Sequence, residues 1–297
     1  MKARDDIYPS QTGQLPIETA KALRELQGYN TPVLGGTAPR GAGRTAQKLA
    51  GFALRHIGAI QCDERPRRYL DVGCGNGFIT ENVAGFFDEV FGIDVERERL
   101  EDFRAHIPVR PPHTIKEMSA AKIEFPAGFF SLVTAFEVLE HVEDLGAVTQ
   151  EMVRVCPPGG VIVMSVPQVG FPFENHGVRI GNKTYHRKVP LLPYIRPLHR
   201  KYSLARVFSS AQMDALFLSK GTELLGTAYA APQFERSAAN RDSWESRFMF
   251  LRAFLDRCEA FPILRALTGV SMLKAYRKPI ANFAKASQNW TFGVQRS

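Results

Sequence analysis

The sequence predicts a doubly wound α/β fold, a mostly parallel seven-stranded sheet with helices on both faces. Three observations carry that expectation. Short, almost wholly apolar runs such as Tyr69-Leu-Asp-Val72 and Val161–Val166 recur as far as Pro167, the pattern of strands buried on both faces. Amphipathic stretches separate these runs, as βαβ units require. The segment Gly73-Cys-Gly-Asn-Gly77 follows the first run directly, where a strand must turn sharply into a helix.

Taken in order, residues 1–43 are rich in Pro, Gly and Thr around one helical patch, Ile17–Tyr29, and read as an N-terminal arm. The spacing of Ala46, Leu49, Ala53, Ile57 and Ile60 predicts a helix over 44–60, with Phe52 at the edge of its apolar face. The first strand, 69–73, enters the glycine turn, and Phe78–Phe87 continues as a helix. Val90–Asp94 is a second strand ending on an acid, Val95–His106 a charged helix, Thr114–Met118 a weaker third strand and Phe130–Phe136 a fourth. A helix over Val148–Val155 stops at the breaker cluster Cys156-Pro-Pro-Gly-Gly160, and Val161–Val166 is the fifth strand. These elements define a core over 44–168. Beyond it the rhythm changes to a Pro/His/basic segment, a helix near Ser210–Ser219, a strand at Leu224–Ala231, an amphipathic stretch Ser243–Leu267 and a last strand Ser271–Arg277. Residues 169–297 are therefore expected to complete the sheet and to cover a substrate.

Composition excludes several classes. With 44% hydrophobic and 23% charged residues, the chain is neither disordered nor a coiled coil. Cys62, Cys74, Cys156 and Cys258 form no C-x-x-C pair, which argues against a cysteine-rich zinc module or a disulfide framework and suits a reducing, cytoplasmic compartment. The first sixteen residues contain no apolar run of signal-peptide type. Charge is uneven. Residues 1–173 carry 18 basic and 22 acidic side chains, and 174–297 carry 20 and 8. No acid occurs between Asn175 and Met213. A local positive field of this kind concentrates anionic ligands or favours an acidic surface.

The glycine turn is the most informative segment. Gly73, Gly75 and Gly77 let backbone amides approach a ligand at the start of the next helix. A dinucleotide site needs G-x-G-x-x-G, and Phe78 stands where its third glycine belongs, which argues against NAD and FAD. Asp94 ends the second strand, 23 residues after Asp71, where a carboxylate can accept both hydroxyls of a ribose.

LDVGCGNGF followed by FGIDV resembles motifs I and II of the class I S-adenosylmethionine-dependent methyltransferases, in their small-molecule branch. IEFPAGFFSLVTAFEVLEHV and VCPPGGVIVMSVP resemble the later core segments, and SMLKAYRKP the last strand of that Rossmann-like sheet. The resemblance covers residues 45–168 well and the remainder loosely. It implies S-adenosylmethionine as cofactor, with Asp71, Gly73, Gly75 and Gly77 along the methionine moiety and ribose edge, and Asp94 on the ribose hydroxyls. Val95 would lie against the adenine, Ser119 and Ala120 at its edge, and Phe136 and Glu137 beneath the methionyl group. Ser119 and Ser131 stand where the family usually has Asp, so weaker adenine fixation is expected.

A sulfonium methyl is already activated, so the protein mainly orients the acceptor, and a base is needed only for a hydroxyl or protonated amine. His141, just beyond the fourth strand, is the candidate base; its alternative role, with Glu140, is to cap and orient the next helix. His176, His186 and His199 are spaced ten and thirteen residues apart, which matches no compact ligand motif, so no metal is expected. Aromatic and basic side chains in the same segment suit an anionic or sugar-like acceptor. O-methylation of a small or lipid-linked acidic or hydroxylated metabolite is the reading, and a quinone precursor, a sugar or an envelope glycan are the acceptors that family analogy suggests. An RNA or tRNA methyltransferase is the rival, since stacking plus positive charge also suits nucleic acid, although no RNA-binding module is recognisable. A non-catalytic cofactor-binding protein is the other. The aromatic and Arg residues of Ser243–Leu267 fit packing on the sheet, a substrate lid, or peripheral contact with an anionic membrane face. Oligomeric state is not encoded in any motif.

Overall fold

The computed structural model describes residues 40–62, 66–106, 113–185, 189–230 and 269–280. The helical patch of the N-terminal arm, the Ser243–Leu267 stretch, His186 and Cys258 lie outside the described residues.

Helix α1 (Arg40–Ile57) is followed by β1 (Arg68–Val72), α2 (Phe78–Ala84), β2 (Glu89–Asp94), α3 (Arg97–His106), β3 (His113–Glu117) and β4 (Leu132–Phe136). Then come α4 (Leu145–Val155) and β5 (Val161–Pro167). The seven-stranded sheet has the order β10-β11-β5-β4-β1-β2-β3, where β10 is Glu223–Ala230 and β11 is Ser271–Arg277. Strands β1 to β5 are parallel, and β11 runs antiparallel to both β5 and β10. The order reverses between β1 and β4. In open α/β sheets ligands bind outside the carboxyl ends of the strands at such a reversal.

Side-chain alternation divides the core into two layers. Leu70, Val72, Val133 and Ala135 face α4 and α6 (Ser210–Leu218), against Met152, Met213 and Phe217. Tyr69, Leu132 and Phe136 face the opposite way, against Leu49, Phe52 and Val83 of α1 and α2. Local signals set the helix ends. Asp144 caps α4 by accepting from the Ala147 amide at 2.9 Å, and Ser209 with Gln212 forms a capping box on α6.

Several boundaries differ from the sequence reading. Helix α1 begins at Arg40, inside the expected arm, and Phe52 is buried rather than marginal. Helix α2 stops at Ala84, and Phe87 packs beside Tyr69 with ring centroids 5.4 Å apart. Strand β4 starts at Leu132 because Phe130 turns into an aromatic cluster with Phe91, Phe125 and Phe129.

The segment after β5 folds as small pieces. Strand β6 (Phe173–Glu174) pairs with β9 (Val189–Pro190), and β7 (Val178–Ile180) with β8 (Lys183–Tyr185). Helix α5 (Arg196–Tyr202) follows. The chain then returns to the sheet, where the Phe208 amide donates to the Pro167 carbonyl at 2.9 Å. Among the described residues, no helix is long and apolar enough to cross a membrane.

Candidate active site at the strand-order reversal

The carboxyl ends of β3, β2, β1 and β4 lie side by side and bring together most of the residues singled out in the sequence. Gly73 and Gly77 have φ of 70° and 85°. A Cβ on Gly73 would sit 2.3 Å from Val138 Cγ2, and one on Gly77 2.6 Å from Phe103. Only glycine serves at these two points, on both backbone and steric grounds. The Gly73 and Cys74 amides donate to the Ile93 carbonyl at 2.7 and 3.1 Å, which fixes the turn to the end of β2.

Asp94 accepts from the Gly75 amide at 2.8 Å through Oδ2 and from the Glu96 amide at 2.9 Å through Oδ1. A carboxylate has about four acceptor directions, so two remain for a ligand diol. Val95, next to it, is 66% exposed and offers an apolar contact. Ser119 is exposed and turns its hydroxyl onto the Ala121 amide at 3.3 Å; Ala120 beside it is half-buried.

Two assignments change. Asp71 points inward, away from the crevice. Its oxygens accept from Thr80 at 2.6 Å and Thr134 at 2.7 Å, and Tyr69 contacts the same Thr134 hydroxyl at 2.8 Å. Burial raises its pKa to about 6 against these hydrogen bonds. Asp71 therefore braces the turn from behind rather than lining a methionine moiety. Phe136 likewise sends its side chain into the α1 layer rather than beneath a ligand.

Glu137 remains at the crevice. It is one of two non-glycine residues with positive φ among those described, at 54°. Ser165 holds it there, donating from Oγ to Glu137 Oε1 at 2.7 Å and accepting from the Glu137 amide. Strained backbone that its surroundings fix in this way clusters at ligand sites.

Beyond Glu137 the wall becomes acidic and imidazole-lined. The Glu140 side chain is shut off from solvent, and neither oxygen meets a donor in hydrogen-bond geometry among the described residues. Burial, reinforced by the charge of Glu137, holds its pKa well above the usual carboxylate range. The Nε2 atoms of His141 and His176 each lie 3.9 Å from Glu140 Oε1, and the two rings meet edge to face at 5.4 Å. Burial, then the neighbouring His176, lowers the pKa of His141. Behind His176, Glu174 is buried and accepts from the His176 amide at 2.7 Å, from Ser203 at 2.8 Å and from His199. Burial would raise its pKa, but these hydrogen bonds outweigh it and hold the carboxylate ionised.

The basic segment is therefore partly structural. His199 is buried on Glu174, and the Arg206 guanidinium donates to the Val142 and Glu143 carbonyls at 2.6 and 2.9 Å, clamping the loop after β4. Arg196 and Arg200 instead line, with Glu140, His141 and Gln212, a cavity of about 550 Å³ beside the crevice. The sequence contained Glu140 and His176 but gave no sign that they meet, because His176 is brought in by the fold of the segment after β5.

The chain matches the family model for a methyltransferase domain over residues 70–164. It is 30% identical over 173 residues to a ubiquinone biosynthesis O-methyltransferase of Aromatoleum aromaticum, covering 55% of this chain and 68% of the relative. It is 36% identical over 104 residues to the Proteus mirabilis protein of the same name, covering 33% of this chain and 41% of that relative. The matched stretch thus spans about four tenths of the Proteus mirabilis protein. A putative sarcosine dimethylglycine methyltransferase from Galdieria sulphuraria shares the fold, with a TM-score of 0.51 at 17% identity over 80% of this chain and 85% of that one. Family and fold imply the use of S-adenosylmethionine, and the glycine turn, the spare acceptor directions of Asp94 and the exposed face of Val95 fit that group. The chain belongs to the class I S-adenosylmethionine-dependent methyltransferases.

Proposed function

We propose that this protein is an S-adenosylmethionine-dependent O-methyltransferase acting on a small or lipid-linked metabolite with hydroxyl and acidic groups. The carrying observation is the pairing, across one crevice, of a ribose-type carboxylate at Asp94 with the imidazole-lined wall at His141. The names of the relatives make a hydroxylated quinone precursor the first acceptor to try.

The cofactor, when bound, supplies an activated methyl: a C–O bond forms, the C–S bond breaks with its electron pair left on sulfur, and the acceptor's hydroxyl proton is released. The amides of the Gly73–Gly77 turn and Glu137 would hold the methionine end. Asp94 would accept from the ribose hydroxyls, Val95 would cover the adenine, and Ser119 and Ala120 would border its edge. His141, its neutral form favoured by burial, is suited to take the acceptor's proton at a ring nitrogen. Arg196 and Arg200 line the adjoining cavity and suit an acidic group on the acceptor. Contact with an anionic membrane face belongs to the same reading, because Leu191, Ile195 and Leu198 are exposed beside Arg196, Arg200 and Lys201.

Mass spectrometry of a gene deletion would identify the acceptor as a metabolite one methyl group short of its wild-type form. The purified chain should then methylate it from S-adenosylmethionine. Absence of any S-adenosylmethionine binding by calorimetry, or tight binding of NADH, would overturn the proposal.

A further inference from the structure

Given the S-adenosylmethionine reading, we propose that Arg99 recognises the carboxylate of the cofactor's methionine end and so makes the site selective for nucleosides that carry an intact amino acid. S-adenosylmethionine presents two cationic groups, the sulfonium and the ammonium, and one anionic group, the carboxylate. The acids at the crevice, Asp94 and Glu137, suit hydroxyls and cations and repel the carboxylate. The turn has few donors to spare for it. The Gly73 and Cys74 amides donate to the Ile93 carbonyl, the Gly77 amide to the Cys74 carbonyl at 2.9 Å, and the Gly75 amide to Asp94. A cation is what the residues assigned so far lack.

Arg99 lies in the first turn of α3, five residues beyond Asp94. Its Cδ and Nη1 atoms are 3.8 and 3.9 Å from the point where a Cβ on Gly75 would stand, so the side chain reaches over the glycine turn. On the other side it comes near enough to His141 for its charge to add to burial in disfavouring the protonated imidazole. Contact with Gly75 on one wall and influence on His141 on the other place the guanidinium over the crevice between them. Arg97 differs: two residues away on the helix it faces elsewhere, is 76% exposed and pairs with Glu101 at 3.1 Å.

The guanidinium is also available. Its ion pair with Glu96 Oε2, at 2.6 Å, engages Nε and leaves the edge formed by the two terminal nitrogens for the paired hydrogen bonds that a carboxylate accepts. Both partners of that ion pair are more than half exposed, and such pairs contribute little, so turning the guanidinium onto a ligand costs little. The Glu96 amide is itself fixed on Asp94 at 2.9 Å, so the ribose-type carboxylate and Arg99 are set by one turn of chain.

The full chain should be titrated calorimetrically with S-adenosylmethionine and with its decarboxylated form, which keeps both cationic groups and lacks only the carboxylate. The wild type is expected to bind S-adenosylmethionine about 10- to 150-fold more tightly, the range for hydrogen bonds to a charged group. Arg99→Ala should remove most of that preference by weakening S-adenosylmethionine alone, and Arg99→Lys should restore part of it. The side chain is largely exposed, so the variants should fold. No preference in the wild type, a preference retained in Arg99→Ala, or equal weakening of both ligands would overturn the proposal and leave the S-adenosylmethionine reading in place. A wild-type chain that binds neither nucleoside would overturn that reading and the role of Arg99 with it.

Discussion

The two walls of the crevice are finished to different degrees. On the glycine-turn side the carboxylates are provided for within the chain: Asp71 by two threonine hydroxyls, Asp94 by two backbone amides. On the other side Glu140 is equally buried but meets no donor in hydrogen-bond geometry among the described residues, while Glu174 takes several, from the His176 amide two residues on and from His199 and Ser203 much farther along the chain. The first wall is built before any ligand arrives. The second sets a buried acid, Glu140, against the charge of a neighbouring one, Glu137. An unsatisfied buried acceptor costs about 1–3 kcal/mol, more when charged, so the asymmetry is large against a typical net stability of about 5–15 kcal/mol.

The largest expected effect lies on the unfinished wall. His141→Ala should lower methyl transfer by about 10²–10⁴-fold, measured as product formed per enzyme per unit time at saturating cofactor, with cofactor affinity kept. The imidazole is half-exposed, so the fold should survive its loss. A loss under tenfold in a folded variant would leave His141 as a helix-orienting residue and erase the contrast between the walls.

How much of this was legible in the sequence differs between the walls for a physical reason. The turn wall comes from contiguous residues at strand ends: periodicity plus glycine spacing located Gly73–Gly77 and Asp94, and the family resemblance added Glu137. Strand direction was harder. Asp71 and Phe136 lie on buried central strands flanked by apolar residues on both sides, so the pattern carries no clue to which layer each faces. Only the packing of Thr80, Thr134 and α1 decides it. The acceptor wall depends on a contact between His141 and His176, and a spacing rule applied within the basic segment alone could not detect it.

The next test concerns the finished wall. The folded-state pKa of Asp71, about 6, lies above its ordinary value of 3.8. Between those values the folded protein keeps a proton that the unfolded chain has released. The contribution to stability is therefore fully present below about pH 4 and is lost as pH rises through 6. For this buried group it amounts to about 3 kcal/mol at 1.36 kcal/mol per pKa unit. Denaturant unfolding of the wild type and Asp71→Asn across that range should give curves whose difference changes by about this amount. A flat difference would mean that Thr80 and Thr134 already stabilise the ionised form, and that the turn is braced by an ion rather than by a neutral acid.

The smallest effect sharpens the comparison by asking what Asp94 has left to give. Two of its acceptor directions are taken by the Gly75 and Glu96 amides, so Asp94→Ala removes the spare ones and also frees the two donors that fix the turn. Hydrogen bonds to a charged acceptor are worth about 1.5–3 kcal/mol, so S-adenosylmethionine binding should weaken by about 10- to 150-fold. Asp94→Asn separates the two contributions. The amide keeps one oxygen acceptor but places NH₂ against a backbone N–H, so the turn is disturbed while part of the diol contact survives. An intermediate loss in Asp94→Asn is expected if the ribose contact dominates. A loss as large as that of Asp94→Ala would assign the carboxylate mainly to holding the turn, and the finished wall would then owe its affinity to the shape of the glycine loop. Undiminished binding in Asp94→Ala would remove Asp94 from the site.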